Sequence, residues 1–151
     1  MRFYYFIGSV LAPLAIVSLN VYSRIFRTIR TRIVLEDDQG RVLLLRTWLS
    51  GNKWSLPGGG VERGELPVSA AKRELREEAG IVILDQDLRL KLTLKAAGHQ
   101  EMVFTAHTSS ELPEQLPNHF EVKDAGWFSL KELPPLEPLA RTILDKLAIK
   151  D

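Results

Sequence analysis

Five short segments of the chain are rich in apolar residues and are bounded by polar, turn-forming residues, which predicts β-strands. The segments are also rich in β-branched and aliphatic side chains, which pack well in sheets. They cover residues 29–35, 41–48, 88–96, 101–108 and 122–128. Turn-forming residues separate the first strand from the second and the third from the fourth, so the first two strands are predicted to pair as a hairpin.

Two longer segments carry apolar residues at helical spacing. The first covers residues 67–79 and is followed by Gly80, a residue suited to end a helix. The second covers residues 138–149, where one side of the helix is apolar. Strands mixed with two long helices predict an α/β fold in which helices pack on a mixed sheet.

The composition agrees with one globular domain and removes several classes of chemistry. The chain has 151 residues, of which 45% are hydrophobic and 26% are charged. A net charge of +1 gives no general attraction for nucleic acid, so no specific nucleic-acid partner is predicted. The sequence contains no cysteine, which excludes disulfides, thiolate zinc sites and cysteine nucleophiles.

The N-terminal part of the chain differs from the rest. Residues 3–23 carry no charge, and arginines follow at positions 24, 27, 30 and 32. An apolar run of about 20 residues can cross a bilayer as a helix. Arginines on its C-terminal side would keep the rest of the chain in the cytoplasm.

Three interpretations of this segment stay open. It is a membrane anchor, or an apolar helix that covers its own domain or a dimer partner, or a cleaved signal peptide. Pro13 would kink such a helix, and no small-residue cleavage site precedes the arginines. We therefore expect an extra apolar helix within residues 1–25, a domain at residues 26–151, and a cytoplasmic protein, with attachment to the inner face of the membrane as the alternative.

The first predicted helix carries the candidate chemistry. Glu74, Glu77 and Glu78 lie at positions i, i+3 and i+4 and so share one helix face. Three neighbouring carboxylates repel one another, and a hard cation such as Mg²⁺ would relieve this repulsion. The glycines at residues 58–60 would let the backbone approach a metal or ligand closely. The alternative is a solvated, salt-bridged helix face without a ligand.

The spacing of these residues resembles the Nudix box, G-x5-E-x7-R-E-U-x-E-E-x-G-U, where U is a bulky aliphatic residue. Gly59 is followed by five residues and Glu65, then by seven residues and Arg73 with the three glutamates, and the box ends at Gly80-Ile81. Every specified position matches. The resemblance extends more loosely from about residue 29 to the last helix. It implies an α/β/α sandwich around a mixed sheet.

The resemblance also implies roles for the glutamates and a cofactor. Glu77 and Glu78 match the main metal-binding residues of the family. Glu74 matches a residue that binds metal or helps to orient and deprotonate the attacking water. The implied cofactor is Mg²⁺, with Mn²⁺ as the alternative.

The remaining residues of the box are expected to support these glutamates. The carbonyl of Gly58 or Gly59 would complete the metal shell, and Glu65 would contribute through water. Arg73 matches an arginine that holds the glutamates in place, so we expect an orienting role.

The implied reaction is metal-dependent hydrolysis of a phosphoanhydride bond in a nucleoside diphosphate linked to another group. The implied partner is a small nucleotide-like substrate. The alternative function is a catalytically silent Nudix domain that binds a nucleotide as a sensor or scaffold. Markers that separate known subfamilies about 15 to 17 residues after Ile81 are absent, so the resemblance selects no particular nucleotide.

Five residues outside the box are candidate substrate contacts. Arg46 and Lys53 would contact phosphate, although surface charge is the ordinary role of such residues. Trp54 or Trp48 would stack on a nucleobase, although packing is the more common role of a strand tryptophan. Glu121 precedes the last strand, where the family often supplies an additional acidic residue.

Overall fold

The computed structural model describes residues 29–48, 50–96, 98–117 and 120–148, which form one five-stranded sheet and two helices. The helices are α1 (Pro67–Ala79) and α2 (Pro138–Ala148). The strands are β1 (Ile29–Asp37), β2 (Arg41–Thr47), β3 (Arg89–Ala96), β4 (His99–Thr108) and β5 (Val122–Ser129). These bounds confirm the predicted elements, and the α/β prediction with a mixed sheet is correct.

The strand order is β3-β4-β1-β2-β5, with β1 and β4 parallel and the other pairs antiparallel. The hairpin of β1 and β2 turns at Asp37, whose Oδ1 accepts hydrogen bonds from the backbone amides of Gln39 (3.0 Å) and Arg41 (2.8 Å). The paired part of this hairpin is short, and it aligns Glu36 with Val42. The main partner of β1 is therefore β4, which is distant in sequence.

The glycine-rich segment occupies the edge of β1 that β2 leaves open. Thr31 donates its amide to the Gly59 carbonyl at 2.8 Å, and Ile33 donates to Pro57 at 2.9 Å. An antiparallel bridge joins Arg30 to Gly60. The segment therefore pairs with β1, which offers it backbone groups that would otherwise be unsatisfied.

Two apolar clusters lie on the two faces of the sheet, which gives the α/β/α layers. On the α1 side, Leu75 and Ala79 pack among strand residues such as Ile33 and Leu43. On the α2 side, Ile143 packs among a second set of buried strand residues. The helix α1 ends at Gly80, whose φ of 71° is left-handed and whose amide donates to the Arg76 carbonyl at 3.0 Å.

The predicted N-terminal segment, residues 1–25, and the predicted domain boundary at residue 26 lie outside the described residues. Within the described ranges, no helix has both the length and the apolarity needed to cross a bilayer. Two of the four arginines that follow the apolar run, Arg30 and Arg32, belong to β1.

Candidate active site

The two glutamates of α1 that face the sheet are buried. Glu74 is 2% exposed and Glu78 is 9% exposed, whereas the Glu77 side chain is 36% exposed. Glu78 Oε2 accepts a hydrogen bond from the Gly58 amide at 2.9 Å. The alternative of a solvated helix face is therefore wrong for Glu74 and Glu78.

Burial, followed by the nearby charge of Glu74, raises the pKa of Glu78 to about 8. The Gly58 hydrogen bond and the Arg32 charge act the other way, and Glu121 adds to the upward shift. Groups on α1, on β1, in the glycine segment and before β5 thus all influence the pKa of the Glu78 carboxyl group. Ionised Glu78 is unfavourable here unless a further positive charge is supplied.

Arg73 links the glutamates to the glycine segment. Its Nε donates to Glu65 Oε1 at 2.9 Å, and its Nη1 donates to Glu74 Oε1 at 2.8 Å and approaches Glu77 Oε2 at 3.4 Å. Its Nη2 donates to the Gly60 carbonyl at 3.1 Å. Hydrogen bonding to Glu65, followed by that to Glu74, raises the pKa of Arg73 above its usual range. A guanidinium with these contacts can hold the carboxylates in fixed positions.

The glycine segment lies so close to Glu74 that there is no room for a side chain at Gly59. A Cβ added at Gly59 would lie 2.5 Å from the Glu74 carboxyl carbon. Arg32 Nη1 donates to the Gly58 carbonyl at 2.7 Å. The Gly59 carbonyl accepts from Thr31, as described above, but each carbonyl oxygen has a second lone pair. Both carbonyls therefore retain acceptor capacity.

The donor set suits a hard divalent cation. Glu74 and Glu78 are buried carboxylates whose charges act on each other, and such a cation would relieve both the repulsion and the burial of charge. No three acidic or histidine side chains in the described part of the chain converge as a preformed ligand set. Glu74 and Glu77 are instead directed towards Arg73. A cation held here would compete with Arg73 for these oxygens.

The predicted substrate residues lie on or next to β2 and β5. Arg46 forms an ion pair with Asp124, and its guanidinium carbon is 5.2 Å from the centre of the Trp54 ring. Trp54 also packs edge-on against Phe128, with ring centroids 4.7 Å apart. The Trp54 ring thus already has packing partners within the domain. Its stacking on a nucleobase stays a prediction.

Lys53 and Glu121 are both exposed. The Glu121 carbonyl accepts the Trp48 amide at 3.3 Å, and the Glu121 charge acts on Glu78. The structure thus brings Glu121 into electrostatic reach of the helix α1, although the two are far apart in sequence. Lys53 has no such link to the glutamates in the described contacts.

Sequence reasoning missed a second charged cluster on β1 and β4. Glu101 is fully buried, with His99 Nε2 at 2.9 Å and Arg30 and Arg32 Nε each at 3.7 Å. Burial, followed by the charge of Arg32, lowers the pKa of Arg30. Arg30 and Arg32 are two residues apart on β1, as His99 and Glu101 are on β4, so each pair of side chains lies on one face of its strand. The sequence does not show that β1 and β4 are neighbours.

The fold and the site together define a class: an α/β/α domain in which a glycine-rich strand and a glutamate-bearing helix form one acidic site. A family model described as NUDIX domain matches residues 26–147. The chain therefore belongs to the NUDIX family, as the box in its sequence predicted.

Individual relatives agree with this assignment. The chain is 30% identical over 129 residues to an NAD-capped RNA hydrolase, NudC, from Vibrio cholerae, covering 83% of this chain and 46% of the relative. It is 41% identical over 56 residues to an RNA pyrophosphohydrolase from Saccharophagus degradans, covering 37% of this chain and 33% of the relative. It thus spans less than half the length of these two curated relatives.

Among solved structures, the chain resembles a MutT NUDIX hydrolase from Burkholderia pseudomallei. The sequences are 30% identical, the TM-score is 0.67, and the match covers 80% of this chain and 98% of that one. The similarity thus extends over nearly the whole of that structure and supports the family at the level of both sequence and fold.

Proposed function

We propose that this protein hydrolyses a phosphoanhydride bond in a nucleoside diphosphate linked to another group, with Mg²⁺ or Mn²⁺ as cofactor. The observation that carries the proposal is the pair of buried carboxylates, Glu74 and Glu78, beside the glycine segment. Burying two like charges is costly unless a cation or a protonation relieves them. A phosphate–cation complex bound at this place supplies that relief.

In this proposal Glu74, Glu77 and Glu78 hold the cation, with a glycine carbonyl (Gly58 or Gly59) in its shell. When bound, such a cation neutralises charge on phosphate oxygens and makes a water molecule more acidic. The side chain of Glu74 orients the attacking water and accepts its proton.

The other residues of the proposal position the reacting groups. Arg73 keeps Glu74 and Glu77 in place, and Glu65 contributes to the cation shell through water. Attack forms a bond from the water oxygen to phosphorus and breaks the bond from phosphorus to the bridging oxygen. Arg46 and Lys53 would contact the phosphates, and Trp54 and Glu121 are the further candidates near the substrate.

The names of the relatives support a substrate with linked phosphates. An RNA pyrophosphohydrolase matches 56 residues of this chain, and an NAD-capped RNA hydrolase matches 129 residues. All four box glutamates are present in this chain, which favours hydrolysis over a silent nucleotide-binding domain.

The first test is a turnover screen of the full chain against nucleoside triphosphates, sugar nucleotides, dinucleoside polyphosphates and capped RNA ends. We expect turnover with Mg²⁺ or Mn²⁺ and its loss in excess EDTA. Glu78→Gln should lower kcat by about a hundredfold or more, because a neutral amide holds a cation poorly. Glu132→Gln, at an exposed carboxylate in the turn after β5, is the matched control and should keep full activity.

Robust turnover in excess EDTA would refute the metal-dependent mechanism. Nucleotide binding without turnover of any of these substrates would instead favour the silent binding domain.

The bond that breaks can be identified with isotope. Hydrolysis in ¹⁸O-labelled water should place the label on a phosphate product, because the water oxygen attacks phosphorus. Label found only in the group linked to the diphosphate would show attack at a different atom and would contradict the proposal.

A further inference from the structure

We propose that Trp48, Phe120 and Lys123 form a stacking site for a nucleobase of the substrate, at the end of the sheet where the glycine segment lies. The inference rests on the proposed function, since it names what binds next to the reacting phosphates. Of the two tryptophans that the sequence offers for stacking, it selects Trp48, because the Trp54 ring is packed against Phe128.

The two aromatic residues are unusually exposed. Trp48 is 60% exposed and Phe120 is 86% exposed. The other large hydrophobic residues exposed to a similar degree in the described ranges are aliphatic: Leu66, Val82, Leu84, Leu90 and Leu130. Exposing an aromatic ring to water is unfavourable, so two such rings at one place indicate a binding surface.

The backbone joins these rings to the candidate active site. The Trp48 amide donates to the Glu121 carbonyl at 3.3 Å, and Phe120 immediately precedes Glu121 in the chain. Because β2 runs antiparallel to β1, its C-terminal end lies beside the start of β1, where the glycine segment that donates to Glu78 is paired. The aromatic residues therefore lie at the same end of the sheet as the buried glutamates.

An irregularity in strand pairing adds a cation to this surface. Arg46 pairs with Asp124 and Thr47 pairs with Val122, so Lys123 is the extra residue of a β-bulge. Bulges redirect side chains, and here the Lys123 ammonium lies 5.4 Å from the centre of the Trp48 ring.

Flat rings next to an ammonium group match the chemistry of a nucleotide. The rings offer stacking surface to a base, and the ammonium offers a charge to its phosphate. A large apolar partner surface would be a poorer match, because Lys123 and Glu121 place both signs of charge around the rings. The base could come from a mononucleotide or from the 5′ end of an RNA, which share this chemistry.

The test compares ligands with and without a base. Dissociation constants are measured by calorimetry with Mg²⁺ in the otherwise unaltered full chain, and each probe carries methylene groups in place of its bridging phosphate oxygens so that it is not hydrolysed. The probes are GTP, a short 5′-triphosphorylated RNA, and inorganic tripolyphosphate, which has the phosphates but no base. Trp48→Ala and Phe120→Ala are then made in this chain, with Leu130→Ala as the matched exposed control.

We expect each aromatic variant to weaken GTP binding about tenfold, the scale of losing one stacked ring. Tripolyphosphate binding should stay unchanged in every variant, and Leu130→Ala should bind all probes as the parent does. Trp48→Phe, which keeps a flat ring, should recover most of the affinity, and Trp48→Leu should not. The leucine variant also separates loss of the ring from loss of side-chain volume.

Several results would overturn the proposal: unchanged GTP binding in both aromatic variants, an equal loss of tripolyphosphate binding, or no GTP or RNA binding by the parent. If one of the two aromatic variants loses more affinity for the RNA than for GTP, the ring removed in that variant is assigned to a second base of the RNA. Equal losses would assign the site to the base of a mononucleotide. The turnover screen stays independent of this test: base-dependent binding without turnover would refute hydrolysis and retain the stacking site.

Discussion

Glu78 shows how one side chain links stability to function at this site. Its folded pKa of about 8 lies well above the usual value for glutamic acid, mainly because the group is buried. Without a bound cation, the folded state therefore holds a proton between about pH 4.3 and pH 8 that the unfolded state has released. The contribution of Glu78 to stability is thus complete below this window and is lost as the pH rises through it.

This linkage predicts how Glu78→Gln changes the stability of the protein in EDTA. The amide keeps an oxygen that can accept the Gly58 hydrogen bond but carries no charge to bury. At pH 8 the variant should melt about 3 °C or more above the parent, whereas near pH 4.5 the two should melt together. Thermal unfolding at both pH values measures the difference, with Glu132→Gln as the exposed control.

An equal shift of the melting temperature at both pH values would contradict the assigned ionisation. A lower melting temperature for the variant at pH 8 would mean that the charged form of Glu78 is already compensated in the folded protein.

At the scale of elements, the site depends on contact between α1 and the glycine segment. Gly58 has a φ of 139°, and a Cβ there would lie 2.9 Å from the Thr31 carbonyl carbon. At Gly59 the nearest atoms would belong to the carboxylate end of Glu74. A side chain at Gly58 would therefore clash with the β1 backbone, whereas one at Gly59 would clash with the Glu74 carboxylate.

Alanine at these two positions should separate folding from activity. Gly58→Ala should destabilise the domain by a few kcal/mol, because neither the β1 backbone nor the φ angle can adjust cheaply. Gly59→Ala should leave the melting temperature within a few degrees of the parent but lower kcat at least tenfold, because the Glu74 carboxylate must move. Thermal unfolding and steady-state kinetics on both variants test this contrast.

If Gly59→Ala kept full kcat, Glu74 would not need its present position for turnover. If Gly58→Ala were as stable as the parent, the β1 edge would be more adaptable than its hydrogen bonds indicate.

The elements that the sequence predicted are those with local signals. The bounds of α1 follow from apolar spacing, the proline at its first turn and Gly80 after its end. The box likewise identified the glutamates from spacing alone. The pairing of β1 with β4 and the burial of Glu101 depend on residues distant in sequence, which no local pattern encodes. For the same reason, the exposed positions of Trp48 and Phe120 emerged only from the structure.

At the scale of the whole molecule, the domain and the N-terminal segment should be separable. The family match begins at residue 26, and β1 begins at Ile29. We propose that residues 1–25 associate with a membrane or with a second copy of the chain, because a long apolar run is unfavourable when exposed to water.

Removal of residues 1–23 should leave the domain folded and active. The full chain should pellet with vesicles or elute as an oligomer, and the shortened chain should do neither. Vesicle sedimentation, size-exclusion chromatography and turnover test this together. Unfolding of the shortened chain would make the segment part of the core, and a monomeric full chain that ignores vesicles would contradict both forms of association.

The parallel pair of β1 and β4 also affects when the chain can fold during its synthesis. About 60 residues separate the two strands, and closing a loop of that length carries an entropic cost that local hairpins avoid. On the ribosome, β1, β2 and the glutamate helix emerge while one edge of β1 still has no strand beside it. We expect this edge to be exposed to other nascent chains until β4 has left the exit tunnel.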